Sequence, residues 1–173
     1  VRNTDTGKFV VQHITYQTPA DIDSYYTDLT GKLMLPEKLP YGNYEITEQC
    51  TAYGYVLNTE PVAFKIDGSK TVVTVEKHNM PQKGIIRIQK NGEVFASVNK
   101  SNGVYQPVFA NKKLAGAVYE ITATEDIITP DGTLRYTKGT AVDTVTTDKR
   151  GNAESRPLYL GKYTVREIKA TYG

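Results

Sequence analysis

Apolar and polar residues alternate along many short stretches of the chain. These stretches are rich in Val, Ile, Thr, Tyr and Phe and are separated by Gly, Pro, Asn and Asp, which is typical of β-strands joined by turns. We predict strands at residues 8–16, 44–47, 62–66, 71–77, 85–89, 104–110, 117–122, 142–146 and 163–169. No window carries a convincing helical periodicity, and a single helical turn at residues 21–26 is the one helical prediction. The pattern therefore predicts an all-β protein built as a β-sandwich.

Turn signals divide these strands and suggest a domain boundary. The dipeptides that tolerate left-handed backbone are Asp67-Gly68, Asn91-Gly92, Asn102-Gly103 and Asp131-Gly132. Between the strand-like runs at 71–77 and 85–89, Pro81 and Gly84 interrupt the pattern. We place the boundary at this short linker and predict one domain at residues 1–80 and a second at 81–173.

One phrase occurs twice in the chain. Gly42-Asn43-Tyr44-Glu45-Ile46-Thr47-Glu48 is matched by Gly161-Lys162-Tyr163-Thr164-Val165-Arg166-Glu167, at an offset of 119 residues (161 − 42). Residues 27–31 match residues 147–151 at an offset of 120. A fixed offset of this size indicates tandem domains of one fold, with a unit on the order of 120 residues. We therefore expect residues 1–80 to be the last two-thirds of one domain, and residues 81–173 to be a second domain that lacks its last strand or strands.

Composition excludes several classes of function. The 21 basic residues nearly balance the 19 acidic ones, so nothing favours nucleic acid or an acidic membrane surface as a partner. The chain has no apolar run near the roughly eighteen residues of a membrane span, so we expect no membrane insertion in this segment. A single cysteine, Cys50, excludes an internal disulfide and a Cys-based zinc site. His13 and His78 lack metal-ligand spacing, and we expect no metal and no cofactor.

Several short motifs together carry a family resemblance. In the first copy they are Asp28-x-x-Gly31, Leu35-Pro36-Glu37-Lys38-Leu39, Gly42-x-Tyr44, Glu48 and Gly54-Tyr55. In the second copy they are Leu114-Ala115-Gly116-Ala117, Asp148-x-x-Gly151, Gly161-Lys162-Tyr163 and Glu167. They resemble the Cna-B or SpaA-type prealbumin-like domain of Gram-positive surface adhesins and pilins. The chain departs from that pattern where the family usually has Pro, with Ala52 in the first copy and Thr171 in the second.

The resemblance implies tandem immunoglobulin-like (prealbumin-like) β-sandwich domains at the cell wall, outside the cell. Many members of the family form an isopeptide bond between a Lys on the first strand and an Asn on the last, assisted by a buried Glu or Asp. Carried over to this chain, Lys90 is the nucleophile candidate, Glu48 and Glu167 are the proton-shuttle candidates, and Asn79 is the amide candidate. The matching Lys of the first copy would precede Val1, and the matching Asn of the second would follow Gly173.

The chemistry of such a bond needs a neutral amine, because an ammonium group cannot attack an amide. Burial lowers the pKa of Lys and raises that of Glu, so a desolvated pair can exchange a proton. The protonated Glu can then polarise the Asn carbonyl and help ammonia leave. This is one self-reaction without turnover, so we do not expect an enzyme.

Simpler interpretations of the same residues stay open. Glu48 and Glu167 can be carboxylates paired with a basic residue on a neighbouring strand, since structural ion pairs also perturb pKa values. Lys90 can be a solvated residue at the end of a strand, because it precedes Asn91-Gly92. Asn79 can be a plain turn residue beside Pro81.

Two classes of function follow. The first is a structural stalk or spacer whose partners are the neighbouring domains of the same surface protein. The second is a binding module for host glycan or matrix protein that uses exposed Tyr at residues 104–136, since loops on a rigid sandwich carry binding sites. Strand complementation between chains is a further prediction: cut strands leave open sheet edges, and a second copy could bring Lys90 near Glu48 and Asn79.

Overall fold

The computed structural model describes residues 1–15 and 18–171, and these residues form sixteen strands and no helix. This confirms the all-β prediction. The helical turn predicted at residues 21–26 is wrong. Ala20–Ile22 is instead a strand, because its backbone pairs in antiparallel register with Gln12–Ile14.

Contacts within the chain group the residues into two units. Unit 1 comprises Val1–Ala52 and Val56–Met80, and unit 2 comprises Tyr53–Tyr55 and Pro81–Gly173. The assignment of these units to domains at 1–80 and 81–173 stays a prediction.

The described residues of unit 1 form five strands. They are β1 (Arg2–Asn3), β2 (Gln12–Ile14), β3 (Ala20–Ile22), β4 (Gly42–Ile46) and β5 (Val62–Ile66). β4 lies between β1 and β5 in a three-stranded sheet, and β2 and β3 pair with each other. Tyr44 in β4 is buried and stacks on Phe64 of β5, with ring centroids 5.5 Å apart. This aromatic pair is cross-strand in register, which is the contact that stabilises neighbouring strands.

Unit 2 contains the other eleven strands. They are β6 (Lys83–Gly84), β7 (Arg87–Gln89), β8 (Asn91–Ser101), β9 (Val104–Lys113), β10 (Val118–Ala123), β11 (Ile127–Ile128), β12 (Leu134–Tyr136), β13 (Ala141–Thr146), β14 (Asn152–Glu154), β15 (Leu158–Tyr159) and β16 (Tyr163–Lys169). β10 is central in the sheet β13-β10-β16, whereas β6 pairs with β15, β7 with β14, β8 with β9 and β11 with β12. Every pairing is antiparallel.

The core of unit 2 lies between the central sheet and the short strands. Its buried members are Ile121, Ala123, Ile127, Val142, Val145, Ala153 and Leu158. Ile86, Ile88 and four tyrosines pack against them. Alternate residues of β10, such as Ile121 and Ala123, point inward as the period of two requires. This core holds the strands that carry the candidate site.

The repeated phrase has the same local structure in both units. Asn3 pairs with Tyr44 in unit 1, and Ala123 pairs with Tyr163 in unit 2. The Tyr44 hydroxyl donates to the Pro40 carbonyl at 2.9 Å, and the Tyr163 hydroxyl donates to the Tyr159 carbonyl at 2.7 Å. Each donor, acceptor and strand partner is displaced by 119 or 120 residues.

The Asp-x-x-Gly turns repeat as well. One carboxylate oxygen of Asp28 accepts from the backbone N–H of Thr30 and Lys32, and that of Asp148 accepts from the N–H of Arg150 and Asn152. The glycine that closes each turn has a positive φ, 77° at Gly31 and 73° at Gly151. The two units therefore share one local construction over the repeated segments.

Several strand predictions need correction. The predicted strands at 62–66 and 163–169 coincide with β5 and β16. Residues 71–77 are not a strand, since no described segment pairs with them. Within the described part of the predicted strand at 8–16, residues 8–15, pairing is confined to β2 and one bridge at Phe9. Tyr16 lies outside the described residues, as do Tyr172 and Gly173 at the end of the second repeat.

The Asn91-Gly92 dipeptide does not form a turn but begins β8. The hairpin turn lies instead at Asn102-Gly103, where both residues have a positive φ of 51° and 78°. Gly92 has a steric role, because a Cβ there would lie 2.5 Å from Leu114 Cδ1. The glycine permits a close approach rather than a reversal of the chain.

Candidate functional site

Lys90 and Glu167 meet in unit 2. Lys90 follows β7 directly, and Glu167 lies within β16. The Lys90 Nζ atom is 2.7 Å from Glu167 Oε2, and the two side chains are 27% and 28% exposed. The structure thus brings together two of the predicted site residues as a half-buried ion pair.

Backbone contacts hold Lys90 in place. Its N–H donates to the Gly151 carbonyl at 2.7 Å, and its carbonyl accepts from the Leu114 N–H at 3.1 Å. Gly151 closes the repeated Asp-x-x-Gly turn, and a Cβ at that position would collide with the Lys90 carbonyl oxygen. The repeated turn therefore positions the lysine.

The charge state of Lys90 follows from its partner. The hydrogen bond to Glu167 raises the pKa of Lys90 above its ordinary value, and partial desolvation opposes this shift. The isopeptide chemistry needs burial to lower the lysine pKa instead. In this arrangement Lys90 is therefore an ammonium, and it can attack an amide only after it gives its proton to Glu167.

The second oxygen of Glu167 is available to another donor. Oε1 is buried and has no hydrogen-bond partner among the described residues. Oε2 already contacts Lys90 and lies 3.4 Å from the Tyr119 hydroxyl. A buried carboxylate oxygen normally accepts a hydrogen bond, so Oε1 marks a place for an N–H or O–H donor.

Glu48 and Asn79 meet in unit 1. The Asn79 Nδ2 atom donates to Glu48 Oε2 at 2.7 Å and also lies 2.8 Å from Thr51 Oγ1. The Asn58 backbone N–H donates to the same glutamate oxygen at 3.2 Å. Asn79 is not in a strand, whereas the resemblance implies an asparagine on the last strand of the domain. Within the described residues no salt bridge reaches Glu48.

Each unit holds two of the three residue types of the predicted Lys–Glu–Asn site. Unit 1 pairs a glutamate with an asparagine, and unit 2 pairs the equivalent glutamate with a lysine. Sequence reasoning missed Tyr119, Thr51 and Asn58 as neighbours of the glutamates. Tyr119 is opposite Glu167 on the adjacent strand, so only the strand register reveals that contact.

The motifs that surround these glutamates belong to a known sequence family. The model of one family, described as the SpaA prealbumin-like fold domain, matches residues 4–81 and 109–173. The chain belongs to this SpaA family. No curated protein and no solved structure matched the chain.

Membership of the SpaA family agrees with the all-β architecture and with the resemblance found in the sequence. SpaA prealbumin-like domains are structural modules of the pilin and surface-adhesin type and are typical of extracellular surface proteins. No helix in the described part of the chain is long and apolar enough to cross a membrane.

Other candidate chemistry in this SpaA chain is sparse. Among residues 1–15 and 18–171, no group of three or more His, Cys, Asp and Glu side chains is arranged to hold a metal ion. His13 Nδ1 lies 2.6 Å from Asp21 Oδ1 across the β2–β3 pair, as an exposed ion pair. A shallow surface depression of about 400 Å³ lies over β10 and β16, and it is lined by Glu120, Thr122, Thr164 and Arg166 among others. The glutamate pairs described above are the more specific arrangement.

Proposed function

We propose that this chain is a stalk or spacer segment of a cell-wall-anchored adhesin or pilin of a Gram-positive bacterium. The observation that carries the proposal is the repetition of one local construction, because the same strand pair, tyrosine hydrogen bond and Asp-x-x-Gly turn occur in both units. Tandem copies of one fold add length to a surface protein without adding new chemistry. Its immediate partners are then the neighbouring domains of the same polypeptide.

Lys–Asn isopeptide bonds in the parent protein are the finer part of this proposal. In unit 2 the Lys90 ammonium would transfer a proton to Glu167, and the neutral amine would attack the side-chain amide carbon of an asparagine. The new Nζ–Cγ bond forms as the Asn Cγ–Nδ2 bond breaks, and ammonia leaves with the proton that Glu167 first received. The second proton lost from Nζ passes to Glu167, which ends the reaction as a neutral acid. The 2.7 Å contact supports Lys90 as the nucleophile and Glu167 as the proton shuttle. In unit 1 the Glu48–Asn79 contact supports Glu48 as the proton shuttle and Asn79 as the amide.

Mass spectrometry of the denatured parent protein tests the bonds. For the wild type we expect a mass that lacks one ammonia per bond. Glu167→Gln should prevent the bond of unit 2, so its mass should lack one ammonia fewer. Lys90→Ala should prevent the same bond. Glu154→Gln is the matched control, since Glu154 pairs with Arg87 at 2.8 Å in a structural ion pair. An unmodified mass in the wild-type parent would refute the isopeptide proposal.

For residues 1–173 alone, a covalent dimer lacking ammonia would support complementation between chains, and an unmodified monomer would refute that covalent form.

Deletion tests the spacer role itself. Removing residues 1–173 from the surface protein should shorten its reach from the cell wall in electron micrographs. The affinity of the purified adhesive region for its ligand should not change. A loss of affinity on deletion would instead assign ligand binding to this segment.

A binding module for host glycan or matrix protein is the second candidate. The exposed Tyr105 and Phe109 on β9 favour it, because exposed aromatic rings are common at recognition surfaces. Tyr119 and Tyr136 favour the spacer, since both pack against the core of unit 2. Glycan-array binding that is lost in Tyr105→Ser would support this candidate.

A further inference from the structure

The β8–β9 hairpin is the most distinctive surface feature of unit 2. Its strands contain 11 and 10 residues and form a two-stranded sheet with each other. Residues 82–108, which include all of β8, lie between the two segments that match the SpaA family. An isolated two-stranded hairpin is marginally stable in water and is usually stabilised by packing one of its faces. Apolar residues that stay exposed on the hairpin therefore need a physical explanation.

Most of those residues share one face of the hairpin, whereas the exposed Val104 lies on the other. Cross-strand partners lie on the same side of an antiparallel pair, and the register pairs Phe95 with Phe109 and Val98 with Pro107. The two phenylalanine rings meet edge to face at 6.4 Å. Lys100 lies 5.1 Å over the Tyr105 ring, which puts that pair on one side as well. We call Phe95, Val98, Tyr105, Pro107 and Phe109 the aromatic face.

The aromatic face is turned to solvent. Phe95, Val98, Tyr105 and Phe109 are 59%, 49%, 65% and 55% exposed. The half-buried apolar residues of the hairpin, Val94, Val108 and Ala110, lie on the opposite face. The half-buried apolar residues of the hairpin therefore lie on one face, and the more aromatic face is uncovered. A contiguous exposed apolar patch of this kind marks an interaction site.

Charges at the two ends of the aromatic face are complementary to a second copy of the same face. Glu93 lies on this side near the base of the hairpin, and Lys100 lies on it near the tip. If two hairpins stack face to face and antiparallel about a two-fold axis, each Lys100 lies over the Glu93 of the other copy. A parallel stack would instead place both lysines at one end and both glutamates at the other, with no opposite charge facing either. Lys113, opposite Asn91 at the base, would lie beside the uncharged turn of the partner.

We propose that the aromatic face binds the aromatic face of a second copy of this chain in an isologous, antiparallel stack. Two strands of about ten residues present roughly 30 Å by 10 Å, or about 300 Å² per copy. The total is well below the roughly 1,200 Å² of a stable interface. The single-site association is therefore weak and concentration-dependent, and tethering many copies on one surface would strengthen it through effective concentration. This inference stands independently of the isopeptide bonds.

Sedimentation equilibrium of residues 1–173 over a wide concentration range tests the stack. The wild type should show a reversible monomer–dimer equilibrium that weakens with salt, because the end charges are exposed. Lys100→Glu should weaken dimerisation about tenfold, since the symmetric interface contains the altered pair twice. The double variant Glu93→Lys/Lys100→Glu should recover most of the loss, because the charges are only exchanged.

Lys112→Glu is the matched control. Lys112 pairs with Gly92 and lies on the opposite face of the hairpin, so this equal change of charge should leave dimerisation unaffected. Equal weakening by both single variants, or no recovery in the double variant, would overturn the proposal. A chain that stays monomeric at all concentrations would also overturn it. If the Tyr105 and Phe109 resonances of that monomer shifted with added polysaccharide, the face would belong to a glycan.

Discussion

Single carboxylates raise the pKa of two basic side chains in this protein. Glu167 raises the pKa of Lys90 through a direct hydrogen bond, and Asp21 does the same for His13. Lys90 would be an ammonium at neutral pH in any case, and the raised pKa makes its proton harder to remove. The glutamate is therefore both the partner that holds the lysine and the base that must accept its proton. For His13 the consequence is a charge that persists to higher pH, because its ordinary pKa lies near neutrality.

The His13–Asp21 pair predicts a specific pH dependence. Because the folded pKa of His13 is raised above 6.5, the pair contributes its stability fully below pH 6.5 and loses it as pH rises through the folded pKa. Asp21→Asn should return the His13 pKa toward its ordinary value in an NMR titration. A small part of the shift should remain, because Glu37 also raises it.

Asp23→Asn is the matched control for this titration. Asp23 is exposed and bonds to Ser24 rather than to His13, so its loss should barely affect the histidine. An unchanged His13 pKa in Asp21→Asn would contradict the assignment.

The Asp-x-x-Gly turns illustrate how one repeated element acquires a second role. Both turns use an aspartate to accept backbone N–H groups and a glycine to adopt positive φ. The environments differ, since a Cβ at Gly31 would meet nothing within 4 Å whereas one at Gly151 would meet the backbone of Lys90 and Leu114. The second turn is therefore a packing surface for the strand end that carries the candidate nucleophile.

Alanine substitution separates these two roles. Gly31→Ala should cost roughly 1–2 kcal/mol of unfolding free energy from left-handed strain alone. Gly151→Ala should lower the free energy of unfolding by more, because the added Cβ would also collide with the Lys90 carbonyl oxygen. The collision should displace the Lys90 Nζ from Glu167. Urea unfolding measures the first effect, and the Lys90 Nζ chemical shift measures the second. Equal costs for the two variants would contradict the role of Gly151.

The two units bury their side chains unequally. Unit 2 has a cluster of seven buried apolar residues, whereas the buried side chains in the described part of unit 1 are Tyr44 and Gln12. Since buried apolar area is the main source of stability, unit 2 should open less often than unit 1. The candidate site of unit 2 consequently rests on the firmer scaffold.

Hydrogen exchange checks this inequality. Amides of β10 and β13 should exchange more slowly than those of β4 and β5. Ile121→Ala, at a fully buried position, should cost about 2–5 kcal/mol and speed exchange in unit 2. Ile128→Ala is the control, since Ile128 is 59% exposed, and should have little effect. Faster exchange in unit 2 than in unit 1 of the wild type would contradict the argument.

Local patterns in the sequence determined the fold class, the repeat and the identity of the paired glutamates. Alternation predicted β5 and β16 with their correct bounds, and the fixed offset indicated two copies of one fold. These features depend on residues close together in the chain, or on the comparison of one segment with its copy. They therefore need no knowledge of which strands pair.

Only the tertiary structure decided which side chains meet and which strands form. Residues 71–77 have a strand-like composition but no partner, and Asn91-Gly92 has turn chemistry but lies in a strand beside Leu114. The contact of Lys90 with Glu167, the nearby Tyr119 hydroxyl and the unpaired Glu167 Oε1 all depend on how β7, β10 and β16 are brought together. Hydrogen-bond partners and burial come from residues far apart in the chain, so alternation and turn propensity alone do not specify them.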